Sequence, residues 1–234
     1  MQKSIFFLLL LFITGTIACK KKKDATPPPP TTASDYMPMT TGSEWNYAVS
    51  TNGAPSTYKL TATAKDTLFS NGRTYKVFTN SSGPNEYYFR NGSEYYRYTT
   101  LPGLTDQSFE LKYLVDNLNV GATWVETKSV DVDLSSLMIP GVGTETLPIQ
   151  ITFKIEEKGI SHTVDAKTYS DVIRVSATLK ITDSPFGEIV PSPNNINYYF
   201  AKGIGMVHNT IVFGVALAGI DVNSETKLTS YTIK

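Results

Sequence analysis

The chain has 234 residues with 21 Lys plus Arg and 21 Asp plus Glu, so its formal net charge is zero. The balance is uneven, because five lysines and one aspartate fall in the first 34 residues, which leaves 16 basic and 20 acidic residues from Asp35 onward. A body with a net charge near −4 and no basic stripe argues against nucleic acid as a partner.

The first 18 residues have the pattern of a secretory signal peptide. A positive start at Lys3 precedes the apolar run IFFLLLLFI (residues 5–13), which is shorter than the roughly 20 apolar residues of a spanning helix. The sequence TIAC (residues 16–19) resembles a bacterial lipobox, in which cleavage precedes a cysteine that becomes lipid-modified. We therefore predict that residues 1–18 are removed and that Cys19 carries fatty acyl chains such as palmitate.

Cys19 is the only cysteine in the chain. A secreted protein held by disulfides has an even number of cysteines, so a single cysteine at the predicted cleavage site favours lipid attachment. Each buried acyl methylene contributes about 0.8 kcal/mol, and several chains make a durable anchor. The alternatives are an ordinary secreted protein with a stray cysteine and an uncleaved membrane anchor.

Residues 19–34 are predicted to form a tether between the lipid and the body. Lys20–Lys23 would lie at the headgroup level, where each lysine near anionic lipid adds about 1 kcal/mol. Pro27–Pro30 favour a semi-rigid polyproline spacer of about 3.1 Å per residue. A lysine after Cys19 is compatible with delivery to the outer membrane by analogy with other lipoproteins. The side of that membrane stays open.

Residues 35–234 are predicted to form one all-β, mainly antiparallel domain, because the body is rich in Tyr, Thr, Val, Ile and Phe. Hairpins are expected around Asn71-Gly72 and Asn91-Gly92, since both residue types tolerate positive φ. Further alternating runs predict strands at residues 149–160, 171–182, 196–214 and 226–234.

Several hairpins at this spacing predict a curved sheet, a half-barrel or a sandwich. The segment SFELKYLVDNL (residues 108–118) is the best helix candidate, so at most one short helix is expected. Three motifs also occur twice in the same order. They are a glycine three residues before a tryptophan (residues 42–45 and 121–124), Thr-Tyr (residues 74–75 and 168–169) and Tyr-Tyr-Phe (residues 87–89 and 198–200).

These echoes predict a degenerate duplication with repeats at residues 36–117 and 118–234. Each repeat would be an antiparallel meander that opens with a tryptophan strand. A meander of this size buries only one face, so pairing two of them completes a core.

The succession of MPMTTGSEWNY, NGRTYKV, VGATW, AKTYSDVIRV and YYFAKGIGMVH resembles a group of Gram-negative envelope lipoproteins of unknown function, the TapB-like half-barrel family. Its sharpest part is residues 199–207. The resemblance implies a curved antiparallel sheet akin to the open barrels that hold or shuttle apolar molecules in the envelope. It brings no catalytic residues.

The search for chemistry predicts no enzyme, no cofactor and no metal site. His162, expected at a hairpin end, and His208, expected within a strand, are the only histidines. They are far apart in the sequence and lack zinc-ligand spacing, so both are interpreted as surface or hydrogen-bonded strand residues. Asp131 and Asp133 share one strand face. A solvated face is favoured there over a calcium site.

Aromatic side chains crowd the second predicted hairpin, together with Arg90 and Arg97. Tyr87, Phe89, Tyr95 and Tyr96 are the candidate ligand-binding residues, because such rings stack on sugars or line a pocket. The favoured alternative is cross-strand packing, where each pair stabilises the sheet by about 0.2–1 kcal/mol.

The leading functional hypothesis is a non-enzymatic, lipid-anchored envelope protein whose curved sheet binds an apolar ligand, a glycan or a protein partner. The second is a structural or assembly subunit, and the third is a glycan-acting hydrolase with two facing carboxylates. A concave face filled by side chains would favour the hypothesis of a structural subunit. A cavity of a few hundred cubic ångströms would favour binding.

Overall fold

The computed structural model describes residues 35–99, 108–133, 143–184, 187–215 and 219–234, so Cys19 and the tether lie outside the described residues. The described part is all-β and contains 13 strands and no helix, which confirms the predicted fold class. The strands are β1 Glu44–Thr51, β2 Ala54–Leu68, β3 Thr74–Asn80, β4 Glu86–Asn91, β5 Glu94–Thr99, β6 Phe109–Val115, β7 Thr123–Asp133, β8 Thr144–Val164, β9 Lys167–Ser184, β10 Gly187–Ile189, β11 Asn194–Ala201, β12 Gly205–Val215 and β13 Ile220–Thr232.

All strands belong to one antiparallel sheet, in the order β6-β5-β4-β3-β2-β1-β13-β12-β11-β9-β8-β7, with β10 beside β9. The first and last described strands pair with each other, so β1 lies against β13. The two edge strands come close together, because Trp124 at the start of β7 donates from Nε1 to the carbonyl oxygen of Lys112 in β6 (2.9 Å). The sheet is therefore curved and nearly closed, as the half-barrel prediction expects.

Both Asn-Gly hairpins are confirmed. Gly72 (φ 77°) joins β2 to β3, and Gly92 (φ 60°) joins β4 to β5; both adopt the left-handed conformation that glycine tolerates best. The predicted helix at residues 108–118 is wrong, because this segment contains the strand β6, which pairs with β5 along its length. Burial of Leu111 and Tyr113 on one face of a paired strand outweighs the weak helical pattern.

The hydrophobic core lies on the inner face of the sheet and follows the two-residue period of the strands. In β8, buried side chains alternate with less buried ones over Leu147, Ile149, Ile151, Phe153 and Ile155. The described core is built from residues between Tyr36 and Leu228. The body therefore carries its own core, and we expect residues 35–234 to fold without the tether.

The three repeated motifs lie on corresponding strands of the two predicted repeats. The tryptophans open β1 and β7, the Thr-Tyr pairs lie in β3 and β9, and the Tyr-Tyr-Phe motifs lie in β4 and β11. Within each repeat the strands follow one another as a meander. The duplication itself stays a prediction from the sequence. Separately, no helix in the described ranges is long and apolar enough to cross a bilayer.

Candidate functional site

A cavity of about 370 Å³ lies between the strands of the first repeat and strands β11 and β12. Its lining is dominated by tyrosines and apolar side chains. The tyrosines are Tyr47, Tyr58, Tyr87, Tyr88, Tyr98, Tyr113 and Tyr198. The main apolar residues are Met37, Leu60, Phe69, Phe200 and Met206, and the charged residues are Glu86 and Arg97.

Strand alternation brings several of these side chains to the inner face of the sheet. Tyr58 and Leu60 are two residues apart in β2, and Tyr198 and Phe200 are two residues apart in β11, so each pair points to one side of its strand. The ring of Tyr47 stacks on Tyr58, with 4.9 Å between the centroids. Its hydroxyl donates to the carbonyl oxygen of Met206 at 3.0 Å, which links β1 to β12 across the interior.

Arg97 is the cation of the cavity. It lies directly opposite Tyr88 in the β4–β5 pair. Its Cζ atom is 5.9 Å from the ring centroids of both Tyr113 and Tyr198, so the guanidinium lies between two aromatic rings. The Nε atom is buried and has no hydrogen-bond partner among the described residues.

Arg97 differs from the other arginines in its ion pairing. Each of the other three forms an ion pair: Arg73 with Glu110, Arg90 with Asp35 (3.0 Å) and Arg174 with Glu157 (3.2 Å). Glu86 is the carboxylate of the described lining, but its oxygens accept hydrogen bonds from Tyr88 Oη (2.5 Å) and Asn80 Nδ2 (3.0 Å). No ion pair between Arg97 and a carboxylate occurs within the described residues.

Burial favours the neutral form of four tyrosines of the cavity. It raises the pKa of Tyr47, Tyr58, Tyr88 and Tyr113 above the usual value, because the charged phenolate is poorly solvated there. Burial also opposes the charge on Arg97, but the neighbouring Tyr198, Tyr88 and Glu86 outweigh this effect and raise its pKa. The cavity thus holds one cation among neutral hydroxyl groups, beside a hydrogen-bonded carboxylate.

The four residues proposed from the sequence lie on two faces of the β4–β5 hairpin. Tyr87, Phe89 and Tyr96 belong to an aromatic cluster with Phe69, Tyr75 and Tyr98, in which the ring of Phe69 stacks on Tyr98 at 4.0 Å. The Cζ atom of Arg73 lies 4.5 Å from the ring centroid of Tyr96. Of the four, Tyr87 also lines the cavity.

Tyr95 is on the other face and is fully buried in the main core. Its hydroxyl donates to Asp116 Oδ2 (2.7 Å) and accepts a hydrogen bond from the backbone nitrogen of Tyr36 (3.2 Å). The structure therefore does not bring the four residues together, and their role in ligand binding stays a prediction. The sequence feature that points to the cavity is instead Arg97, an arginine whose place in the strand alternation puts it on the inner face of the sheet.

The two histidines are in contact despite their separation in the sequence. Nε2 of His162 is 3.0 Å from Nδ1 of His208, whose own Nε2 is 2.9 Å from Oε1 of Glu225. The ring of His162 stacks on Tyr199 at 3.9 Å. Among the described residues, no three His, Cys, Asp or Glu side chains are grouped so that they could hold a metal. In β7, the Asp131 carboxylate accepts a hydrogen bond from Thr146 Oγ1 (2.6 Å).

The histidine pair predicts a stability that falls at mildly acidic pH. Burial, and then the nearby charge of His208, lower the pKa of His162 below its usual value near 6.5. Below pH 6.5 the unfolded chain therefore binds more protons at this site, so the stability present above pH 6.5 is lost as the pH falls through the lower folded-state pKa. Urea unfolding at several pH values should show a smaller loss in the variant His162→Gln. An identical pH dependence in both proteins would contradict this.

The sequence matches no family model and no curated protein. Among solved structures, a protein assigned as a lipoprotein of Parabacteroides distasonis is similar, with 15% identity, a TM-score of 0.49, and coverage of 86% of this chain and 99% of that one. An assigned exported protein of Bacteroides fragilis with a YmcC-like fold has 11% identity and a TM-score of 0.43, with coverage of 84% and 98%.

The hypothetical lipoprotein YmcC of Escherichia coli has 7% identity and a TM-score of 0.39 over 85% of this chain and 92% of its own. At these levels of similarity, nothing about ligand or mechanism transfers to the present chain. None of the three is described as TapB-like, so membership of that family stays a prediction.

Proposed function

We propose that this chain is a lipid-anchored, non-enzymatic protein of the bacterial outer membrane that binds an apolar small molecule in the tyrosine-lined cavity. The observation that carries the proposal is the cavity itself, with its volume of about 370 Å³ and mainly aromatic and aliphatic lining. Ligand pockets typically measure about 300–1,000 Å³ and combine an apolar lining with a few polar groups. The predicted signal peptide and lipidated Cys19 support the location.

The lining favours an apolar ligand over a glycan. A glycan presents many hydroxyl groups, each of which needs a hydrogen-bond partner once it is buried. Two of the hydroxyls near the cavity are already engaged within the protein, since Tyr47 donates to the Met206 carbonyl oxygen and Tyr88 donates to Glu86. Leu60, Phe200 and Met206 offer apolar contact instead.

A purely structural subunit remains the second hypothesis. It expects the inner face of the sheet to be filled by side chains, and much of it is, around Trp45, Phe78 and Phe153. The space beside Arg97 is what favours binding over that hypothesis. A glycan-acting hydrolase would need two facing carboxylates. Within the described lining, Glu86 is the only carboxylate.

A bulky residue at the rim should block ligand entry. Ser108 is exposed and lines the cavity, so we expect Ser108→Trp in residues 35–234 to weaken binding of the apolar dye N-phenyl-1-naphthylamine about tenfold or more, or roughly 1.4 kcal/mol. Fluorescence titration measures the affinity. The matched control is Ser129→Trp, an exposed serine of β7 outside the lining, which should bind as the unmodified body does.

Absence of dye binding by the unmodified body would contradict the proposal, as would equal effects of the two tryptophan variants. Native mass spectrometry of the full-length protein purified from its host envelope provides an independent check. We expect a small molecule to co-purify with the protein and to be reduced in the Ser108→Trp variant.

A further inference from the structure

We propose that the ligand of the cavity is an amphipathic anion, and that Arg97 binds its negatively charged group. The chemical class is an apolar or aromatic body that ends in a carboxylate, sulfonate or phosphate. This inference rests on the proposed function, because it concerns the same cavity. It adds which end of the ligand enters the protein interior and which residues recognise it.

The first argument is charge. A guanidinium remains protonated in proteins, and a buried charge is strongly disfavoured unless it is paired and hydrogen-bonded. The other three arginines meet this requirement with a carboxylate. Arg97 has no carboxylate partner within the described part of the chain, although its Nε atom is buried and its guanidinium lies near two aromatic rings. An anionic ligand would supply a direct counter-charge.

The second argument is hydrogen bonding. Two buried side-chain polar atoms of the described residues lack a hydrogen-bond partner: Nε of Arg97 and the hydroxyl of Tyr113. Both residues line this one cavity, from the neighbouring strands β5 and β6. Leaving such groups unpaired costs about as much as a lost hydrogen bond, so native proteins rarely tolerate it without a functional reason.

These two groups are both donors. Nε of Arg97 carries a hydrogen, and Tyr113 keeps its hydroxyl hydrogen because burial raises its pKa. An anionic oxygen that accepted from both groups would receive two hydrogen bonds, one of them charge-assisted. Anionic oxygens form the strongest bonds of this kind with arginine.

The only carboxylate of the described lining does not compete for this position. The oxygens of Glu86 are held by Tyr88 and Asn80, so the carboxylate is oriented by other donors. It still lies close enough to contribute to the raised pKa of Arg97. The apolar part of a ligand would then contact Tyr58, Leu60 and Met206 along the rest of the lining.

Two dyes that differ by one sulfonate test the inference in residues 35–234. The probes are 1-anilinonaphthalene-8-sulfonate and its uncharged parent, N-phenyl-1-naphthylamine. Replacing Arg97 with methionine should weaken binding of the sulfonate about tenfold or more, while the affinity for the uncharged dye changes less than about twofold. The conservative variant Arg97→Lys keeps the charge and should retain most of the sulfonate affinity.

Tyr113→Phe provides a second variant that removes only a hydroxyl without a described partner. It should weaken sulfonate binding severalfold, leave the uncharged dye unaffected, and melt at the same temperature as the unmodified body or higher. Circular dichroism and thermal melting establish that each variant is folded.

The outcomes separate the two proposals. If the sulfonate binds equally well to the unmodified protein and to both Arg97→Met and Tyr113→Phe, anion recognition is wrong while the cavity remains a binding site. Equal weakening of both dyes in Arg97→Met, without any selective effect of Tyr113→Phe, also overturns it. If neither dye binds the unmodified protein, the proposed function fails together with the inference.

Discussion

Replacing Trp45 with alanine should destabilise the body by about 3–5 kcal/mol, as is typical when a large aromatic side chain is removed from a packed core. Trp45 is 1% exposed. Its ring lies 5.6 Å from that of Phe78, and its Nε1 donates to the carbonyl oxygen of Ile204 at 2.6 Å. The variant therefore leaves both a cavity and an unpaired carbonyl group.

Trp45 lies where residues 35–43, β1 and the β11–β12 turn meet, so the variant would lose packing between these three elements. A Cβ atom at Gly205 would lie 3.6 Å from Trp45 Nε1 and 3.5 Å from the sulfur of Met37, so these elements pack closely around the indole. Urea unfolding followed by circular dichroism measures the effect. A loss of 3–5 kcal/mol is a large fraction of the stability of an ordinary domain.

Trp124 supplies the matched control. It is half-buried, stacks on Phe153 at 5.2 Å and donates to the Lys112 carbonyl oxygen at the edge of the sheet. Because Trp124 is only half-buried, Trp124→Ala should cost about 1–2 kcal/mol, within the usual range for single substitutions. Equal losses from the two variants would contradict the packing described for Trp45.

Replacing Cys19 with serine in the full-length protein should abolish lipid incorporation and release the processed body from the membrane fraction, or leave an unprocessed precursor. The reason is chemical, because the thiol is the acceptor of the lipid in the predicted lipobox and the chain contains no second cysteine. Metabolic labelling with palmitate, followed by fractionation of the envelope, measures both effects. Durable anchoring depends on the acyl chains. We therefore expect no processed Cys19→Ser protein in the membrane fraction.

Lys23→Ala is the control for this experiment, since it changes the same segment but keeps the thiol. That variant should incorporate label as the unmodified protein does. Label that persists in the Cys19→Ser variant would overturn the predicted anchor. Unmodified protein recovered without label and free of membrane would do so as well.

The parts of the fold that depend on neighbouring residues could be predicted from the sequence. The two Asn-Gly turns form because Gly72 and Gly92 accept positive φ, and the strands beside them show the two-residue alternation of a sheet with one buried face. The helix expected at residues 108–118 was wrong because its short apolar pattern suits a half-buried strand equally well once β5 supplies hydrogen bonds.

The candidate site could be predicted only in part. Aromatic crowding drew attention to the β4–β5 hairpin, but the alternation of side chains divides that hairpin between two faces. Tyr87, Phe89 and Tyr96 lie on one face, while Tyr95 and Arg97 lie on the other. Which of these side chains meet the cavity depends on how the sheet curves, and no local pattern encodes that.

By itself, the sequence determined the predicted anchor, the β character of the body and the position of its tight turns, because each of these depends on residues that adjoin one another along the chain. Tertiary structure decided that β1 pairs with β13, that His162 meets His208, and that Arg97 lies between Tyr113 and Tyr198. Such contacts join residues far apart in the sequence, and their energies depend on which strands become neighbours when the sheet curves and buries its inner face.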